Sequence, residues 1–125
     1  MKTRTLALFG ACLLVLFVTV ATAAWAHSFP EDQNPAAGQT LAAAPSAVSI
    51  KYDAPIEHLF AKLEVVDGAG NDLATSQPEV SSDGLILSVK VKPLQPGDYT
   101  VKWAVVCIDS HHTQGSYVFT VGEGG

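Results

Sequence analysis

The chain has 125 residues, with 7 Lys and Arg against 12 Asp and Glu and a formal net charge of −5. One domain fits that length. The acidic balance excludes nucleic acid and anionic membrane as partners, since both need clustered positive charge.

The first 26 residues differ from the rest. Lys2 and Arg4 form a positive start, residues 6–20 an apolar run, and Ala24-Trp25-Ala26 a small-x-small cleavage site. This pattern predicts a Sec-type signal peptide over residues 1–26 and export of a mature domain, residues 27–125. Removal of the leader leaves 5 basic against 12 acidic residues, and no Arg. Cys107 then stands as the single mature cysteine. The exported domain therefore lacks an internal disulfide and depends on packing.

The mature chain opens His27-Ser28-Phe29-Pro30. Residues 31–38 are polar, hold Pro35 and Gly38, and read as a loop. Val48, Ile50 and Tyr52 alternate with polar neighbours, which predicts a strand. Asp53-Ala54-Pro55 breaks it. Residues 60–66 form a second strand, with Leu63 and Val65 inward and Lys62 and Glu64 outward. The segment Asp67-Gly68-Ala69-Gly70-Asn71-Asp72 ends it with strong turn chemistry. Residues 73–80 read as a weaker strand and residues 85–91 as a clear one. Residues 98–108 form a long strand carrying Tyr99, Val101, Trp103, Val105 and Cys107 on one face. Residues 115–121 close the sheet. About seven strands with turns between them, and no helical period, predict an all-β antiparallel sandwich. The phrase Leu94-Gln95-Pro96-Gly97-Asp98-Tyr99 before the Trp103 strand resembles immunoglobulin-like modules.

Enzymatic motifs are thin. No glycine-rich phosphate loop leads into a helix, and no serine sits in a nucleophile elbow. Cys107 alternates with core residues and reads as a small buried side chain rather than a thiol nucleophile.

The histidines carry more. His27 at a mature N-terminus offers an α-amine and an imidazole to one metal ion. An α-amine with pKa about 7.7–8.0 releases its proton to a metal readily. A second imidazole completes three nitrogens, a set suited to Cu(II) in tetragonal surroundings. At the end of the long strand, Asp109 and His111 are two residues apart. On an extended chain they face one side at a spacing of about 6.6 Å.

Three stretches carry a family resemblance. They are His27-Ser28-Phe29 with Pro35 and Gly38, Pro96-Gly97-Asp98-Tyr99-Thr100-Val101-Lys102-Trp103, and Cys107-Ile108-Asp109-Ser110-His111 with Gly115. In that order, after a leader, they resemble the CopC family of periplasmic copper-binding proteins over residues 27–121. The resemblance implies a seven-stranded Greek-key β-sandwich or barrel. It implies one Cu(II) ion held by the amine and imidazole of His27 and the imidazole of His111, with Asp109 at or near the metal. It also implies copper carriage, buffering or delivery in the periplasm, with a CopD-like membrane transporter as partner in trans.

Two features depart from the family. Some members carry a glutamate at the exit of an early strand, where this chain has Ala54. Asp53, Glu57 and His58 lie nearby in sequence, and as strand-end residues they read as solvated. Some members bind Cu(I) through a methionine-rich loop, whereas the one methionine here is Met1. A thioether site is thus excluded by composition. His112 should point away from the ligand pair, as a surface residue. Two rival readings come from other classes. One is a copper oxidase or oxygenase with an N-terminal histidine, similar to the lytic polysaccharide monooxygenases. The other is a metal-free immunoglobulin-like assembly module.

Overall fold

A computed structural model describes residues 28–124. The leader and His27 lie outside the described residues. Among the described residues there are eight strands: β1 (Pro30–Asn34), β2 (Thr40–Leu41), β3 (Ala47–Tyr52), β4 (Lys62–Val66), β5 (Glu79–Val80), β6 (Ile86–Lys90), β7 (Gly97–Val106) and β8 (His112–Val121). They form two four-stranded sheets, ordered β1-β3-β6-β5 and β2-β8-β7-β4. The expected all-β sandwich is therefore present, with eight strands in place of seven.

Alternation decides the faces, because successive strand side chains point to opposite sides. Val48, Ile50 and Tyr52 of β3, Leu63 and Val65 of β4, and Leu87 and Val89 of β6 all point inward and are buried. Tyr99, Val101, Trp103 and Val105 of β7 and Tyr117, Phe119 and Val121 of β8 complete one core between the sheets. Tyr52 meets Trp103 edge-on across it, with ring centroids 5.7 Å apart. Burial of this set at about 25 cal/mol per Å² is the main favourable term.

Three sequence expectations are corrected. Residues 31–38 are not all loop, since β1 pairs antiparallel with β3. An edge strand with one partner needs no apolar face, so its polar sequence hid it. Residues 73–80 hold only the two-residue β5 and an isolated bridge between Ala74 and Val91. The short β2 pairs parallel with β8, which no local pattern announces. Among the described residues, no helix is long and apolar enough to cross a membrane.

The pair β7–β8 fixes the site. Its register runs without a break from Gly97 opposite Val121 to Val106 opposite His112. Residues 107–111 are the connecting turn, at one end of the sandwich.

Candidate metal centre

The turn has a form common in hairpins, a β-turn followed by one left-handed residue. Ser110 N–H donates to the Cys107 carbonyl at 2.9 Å, and Cys107 N–H donates to the His111 carbonyl at 2.8 Å. Ser110 adopts φ 75°. That conformation is uncommon for a residue with a Cβ. It reverses the chain within the Asp109–His111 step.

The reversal brings the two predicted residues together. The His111 Nδ1 and Asp109 Oδ2 atoms are 2.9 Å apart, and His111 N–H donates to Asp109 Oδ1 at 3.2 Å. The sequence reading placed the pair on an extended strand, but β7 ends at Val106 and the pair meets on the turn. The contact is closer than a strand would give. A carboxylate on one ring nitrogen sets the tautomer and orients the other nitrogen, the usual arrangement for a metal-binding histidine. The His111 side chain is 60% exposed, so an ion from solvent reaches it.

The segment that follows His27 runs directly against this turn. Ser28 N–H donates to Cys107 Sγ at 2.9 Å, and Thr113 Oγ1–H donates to the Ser28 carbonyl at 3.0 Å. Ser28 Oγ–H donates to the Pro55 carbonyl at 3.1 Å. Phe29 N–H then donates to Asp53 Oδ1 at 2.8 Å, while Asp53 N–H donates to the Phe29 carbonyl at 2.9 Å. Asp53 thus ties down the N-terminal segment, a role the sequence did not disclose. Cys107 is 1% exposed, as its place in the strand pattern predicted.

The other candidates differ in surroundings. Ile56 bridges to Cys107, and Glu57 N–H donates to the Val106 carbonyl at 2.8 Å. The segment bearing Ala54, Glu57 and His58 therefore flanks the turn, with Glu57 and His58 exposed. His112 is exposed at the start of β8 and lines a shallow cleft with Phe60, Lys62 and Gln114, consistent with a surface residue. Below the turn, Tyr52 is fully buried. Desolvation, then the neighbouring Tyr117 and Cys107, raises its phenol pKa far above the ordinary value. Burial pushes Tyr117 up to about 12. Both phenols stay neutral at physiological pH and are poor copper ligands.

Among the described residues, no group of three or more His, Cys, Asp or Glu side chains could hold a metal ion. Asp109 and His111 are a partial donor set. An imidazole with a carboxylate fits a borderline transition metal, and the set requires further donors to hold one tightly. The residues that sequence reasoning missed are Ser28, Thr113 and Pro55. Their contacts span 79, 85 and 27 positions, so no local signal marks them.

Residues 31–122 match the CopC domain family. The chain is 32% identical to Protein YobA of Escherichia coli strain K12 over 113 residues, covering 87% of this chain and 90% of that protein. It is 29% identical to the copper transport protein CutJ of Bacillus subtilis, over 89% of this chain but 21% of that longer protein. The crystal structure of CopC from Methylosinus trichosporium OB3b superposes with a TM-score of 0.72 at 28% identity, covering 77% of this chain and 94% of that one. PcoC, a methionine-rich copper resistance protein from Escherichia coli, shares the fold with a TM-score of 0.67 at 23% identity, covering 77% and 99%. With a two-sheet β-sandwich and a domain match across about three-quarters of its length, this chain belongs to the CopC family of copper-binding proteins.

Proposed function

We propose that the mature chain, cut after Ala26, is a periplasmic carrier of one Cu(II) ion rather than an enzyme. The ligands are the α-amine and imidazole of His27 and the imidazole of His111, with Asp109 at the edge of the site. The cargo passes in trans to a membrane copper transporter of the CopD type.

One observation carries the reading. Ser28 is hydrogen-bonded to Cys107 and Thr113, the residues on either side of the Asp109–His111 turn. The Cα of a residue joined to Ser28 by a trans peptide is about 3.8 Å from the Ser28 Cα. That short link lets an amine and an imidazole at position 27 share a metal ion with His111. The resulting donors are nitrogen-rich and suit Cu(II). Asp109 lies against Nδ1 of His111, which supports Nε2 as the coordinating atom in this reading. A longer relative named for copper transport contains a domain of this kind as about one-fifth of its length, which supports a role beside a transporter.

The test is a Cu(II) titration of protein beginning at His27, beside the same protein with one Gly added in front. Electron paramagnetic resonance reads the ligands. Tight one-to-one binding that the added residue abolishes supports the reading. Equal binding by both proteins removes the N-terminal amine from the site and overturns it.

A further inference from the structure

Among the described residues, Ser28 is the one hydrophilic residue that is buried, at 1% exposure. Each of its polar groups has a partner on a different part of the turn region. Its N–H reaches Cys107 Sγ, its carbonyl accepts from Thr113 Oγ1, and its hydroxyl donates to the Pro55 carbonyl. Cys107 lies two residues before Asp109 and Thr113 two residues after His111. The two side chains therefore grip Ser28 from both sides of the turn that holds the imidazole.

Resting on the carrier reading above, we infer that Cys107 and Thr113 are positioning residues for copper. They fix Ser28 against the turn, so that the donors at position 27 meet His111 in a preset geometry. The argument is one of preorganisation. A chain end left loose would lose its conformational freedom when the metal binds, and that cost would weaken binding. Here the hydrogen bonds to Ser28 order the chain up to the residue beside the ligand during folding. The Thr113 hydroxyl is the stronger member of the grip, because a thiol is a weak acceptor. The chemistry also explains a buried cysteine that binds no partner cysteine: its sulfur accepts a backbone N–H that would otherwise be buried unsatisfied.

The test is a double-mutant cycle on protein beginning at His27, with Thr113→Val, Thr113→Ser and Cys107→Ala, against a donor-free form that carries His27→Ala behind one added Gly and so lacks both the amine and the imidazole at position 27. The readouts are Cu(II) affinity, the paramagnetic resonance spectrum and the melting temperature. Thr113→Val should weaken Cu(II) binding about two- to tenfold, the loss expected for one hydrogen bond. It should also shift the spectrum toward fewer coordinated nitrogens, and Thr113→Ser should restore both. In the donor-free background Thr113→Val should change copper binding no further. The inference is overturned if Thr113→Val leaves affinity and spectrum unchanged while the donor-free form loses tight binding. It is equally overturned if the loss is the same in the donor-free background, since the effect would then run through the turn alone. Unchanged binding in the donor-free form would instead sink the carrier reading itself. If Thr113→Val melts below the assay temperature, Cys107→Ala carries the same test with the same outcomes.

Discussion

At the scale of the residue, Gly115 shows how a motif position can serve packing rather than chemistry. It lies opposite Trp103 in the β7–β8 register. A Cβ built on Gly115 would stand 2.6 Å from Trp103 Cζ2 and 2.9 Å from Cε2. No real Cβ sits so close to a ring atom, so the indole rests on the bare backbone of Gly115. The glycine that closes the His111-x-x-x-Gly115 phrase is therefore present for the tryptophan four residues before Cys107. Gly115→Ala should cost about 1–3 kcal/mol through overpacking. Thermal unfolding would show this as a lowered midpoint, and an unchanged midpoint would mean that the indole has room to move. A residue this close to the turn should leave the copper-site spectrum intact wherever the variant is folded. Asp109 and His111 present the opposite case. That the two share one side was legible from their spacing, but the geometry of their contact was not. Ser110 in a left-handed conformation sets it, and nothing in its side chain signals that choice.

At the scale of the element, legibility followed alternation. Strands β3, β4, β6, β7 and most of β8 each place apolar residues at every second position, and each was readable. The first four residues of β8 carry no apolar alternation; their pairing with Val106, Val105, Ala104 and Trp103 makes them strand. Strands β1, β2 and β5 are short or polar and exist because a partner offers hydrogen bonds, information held elsewhere in the chain. The turn after β4 was readable for a different reason, as its Asp and Gly residues suit a tight reversal. The structure explains its first residue. Asp67 accepts hydrogen bonds from Ala69 N–H, Asn71 N–H and Asn71 Nδ2–H. The bonds from Asn71 lead in holding its carboxyl below the usual range. A carboxyl with a depressed folded pKa contributes stability that is fully present above its unfolded pKa, near 4. That contribution is lost as the pH falls through the lower folded value. Titration followed by NMR should give Asp67 a midpoint below that of an unstructured Asp. The Asn71 amide should exchange faster once the carboxyl is protonated. A midpoint at the ordinary value would show that the turn is held by its backbone alone.

At the scale of the whole molecule, the proposed site joins two places that the fold itself brings together. The N-terminal segment enters along β1, on the edge of one sheet, and the Asp109–His111 turn caps the β7–β8 hairpin of the other. A metal ion held by both would tie the two sheets at one end of the sandwich. Binding would then stabilise folding by mass action, because the unfolded chain does not hold these groups together. At free Cu(II) one hundred times the dissociation constant, the gain is about 2.7 kcal/mol. For a domain of this size that corresponds to a rise in melting temperature of roughly 10–20 °C. Protein beginning at His27 should show the rise, and a chelator should reverse it. His111→Ala should lose most of it, and so should the form with a Gly in front. Acid should abolish it as well. The amine and imidazole must be deprotonated to bind, so protons compete with the metal. Metal affinity must therefore fall as the pH drops, with the shift in melting temperature falling in step. A rise that persists at pH 5, or that is equal in the Gly-extended form, would place the copper away from the N-terminal amine and separate the two sheets from the site.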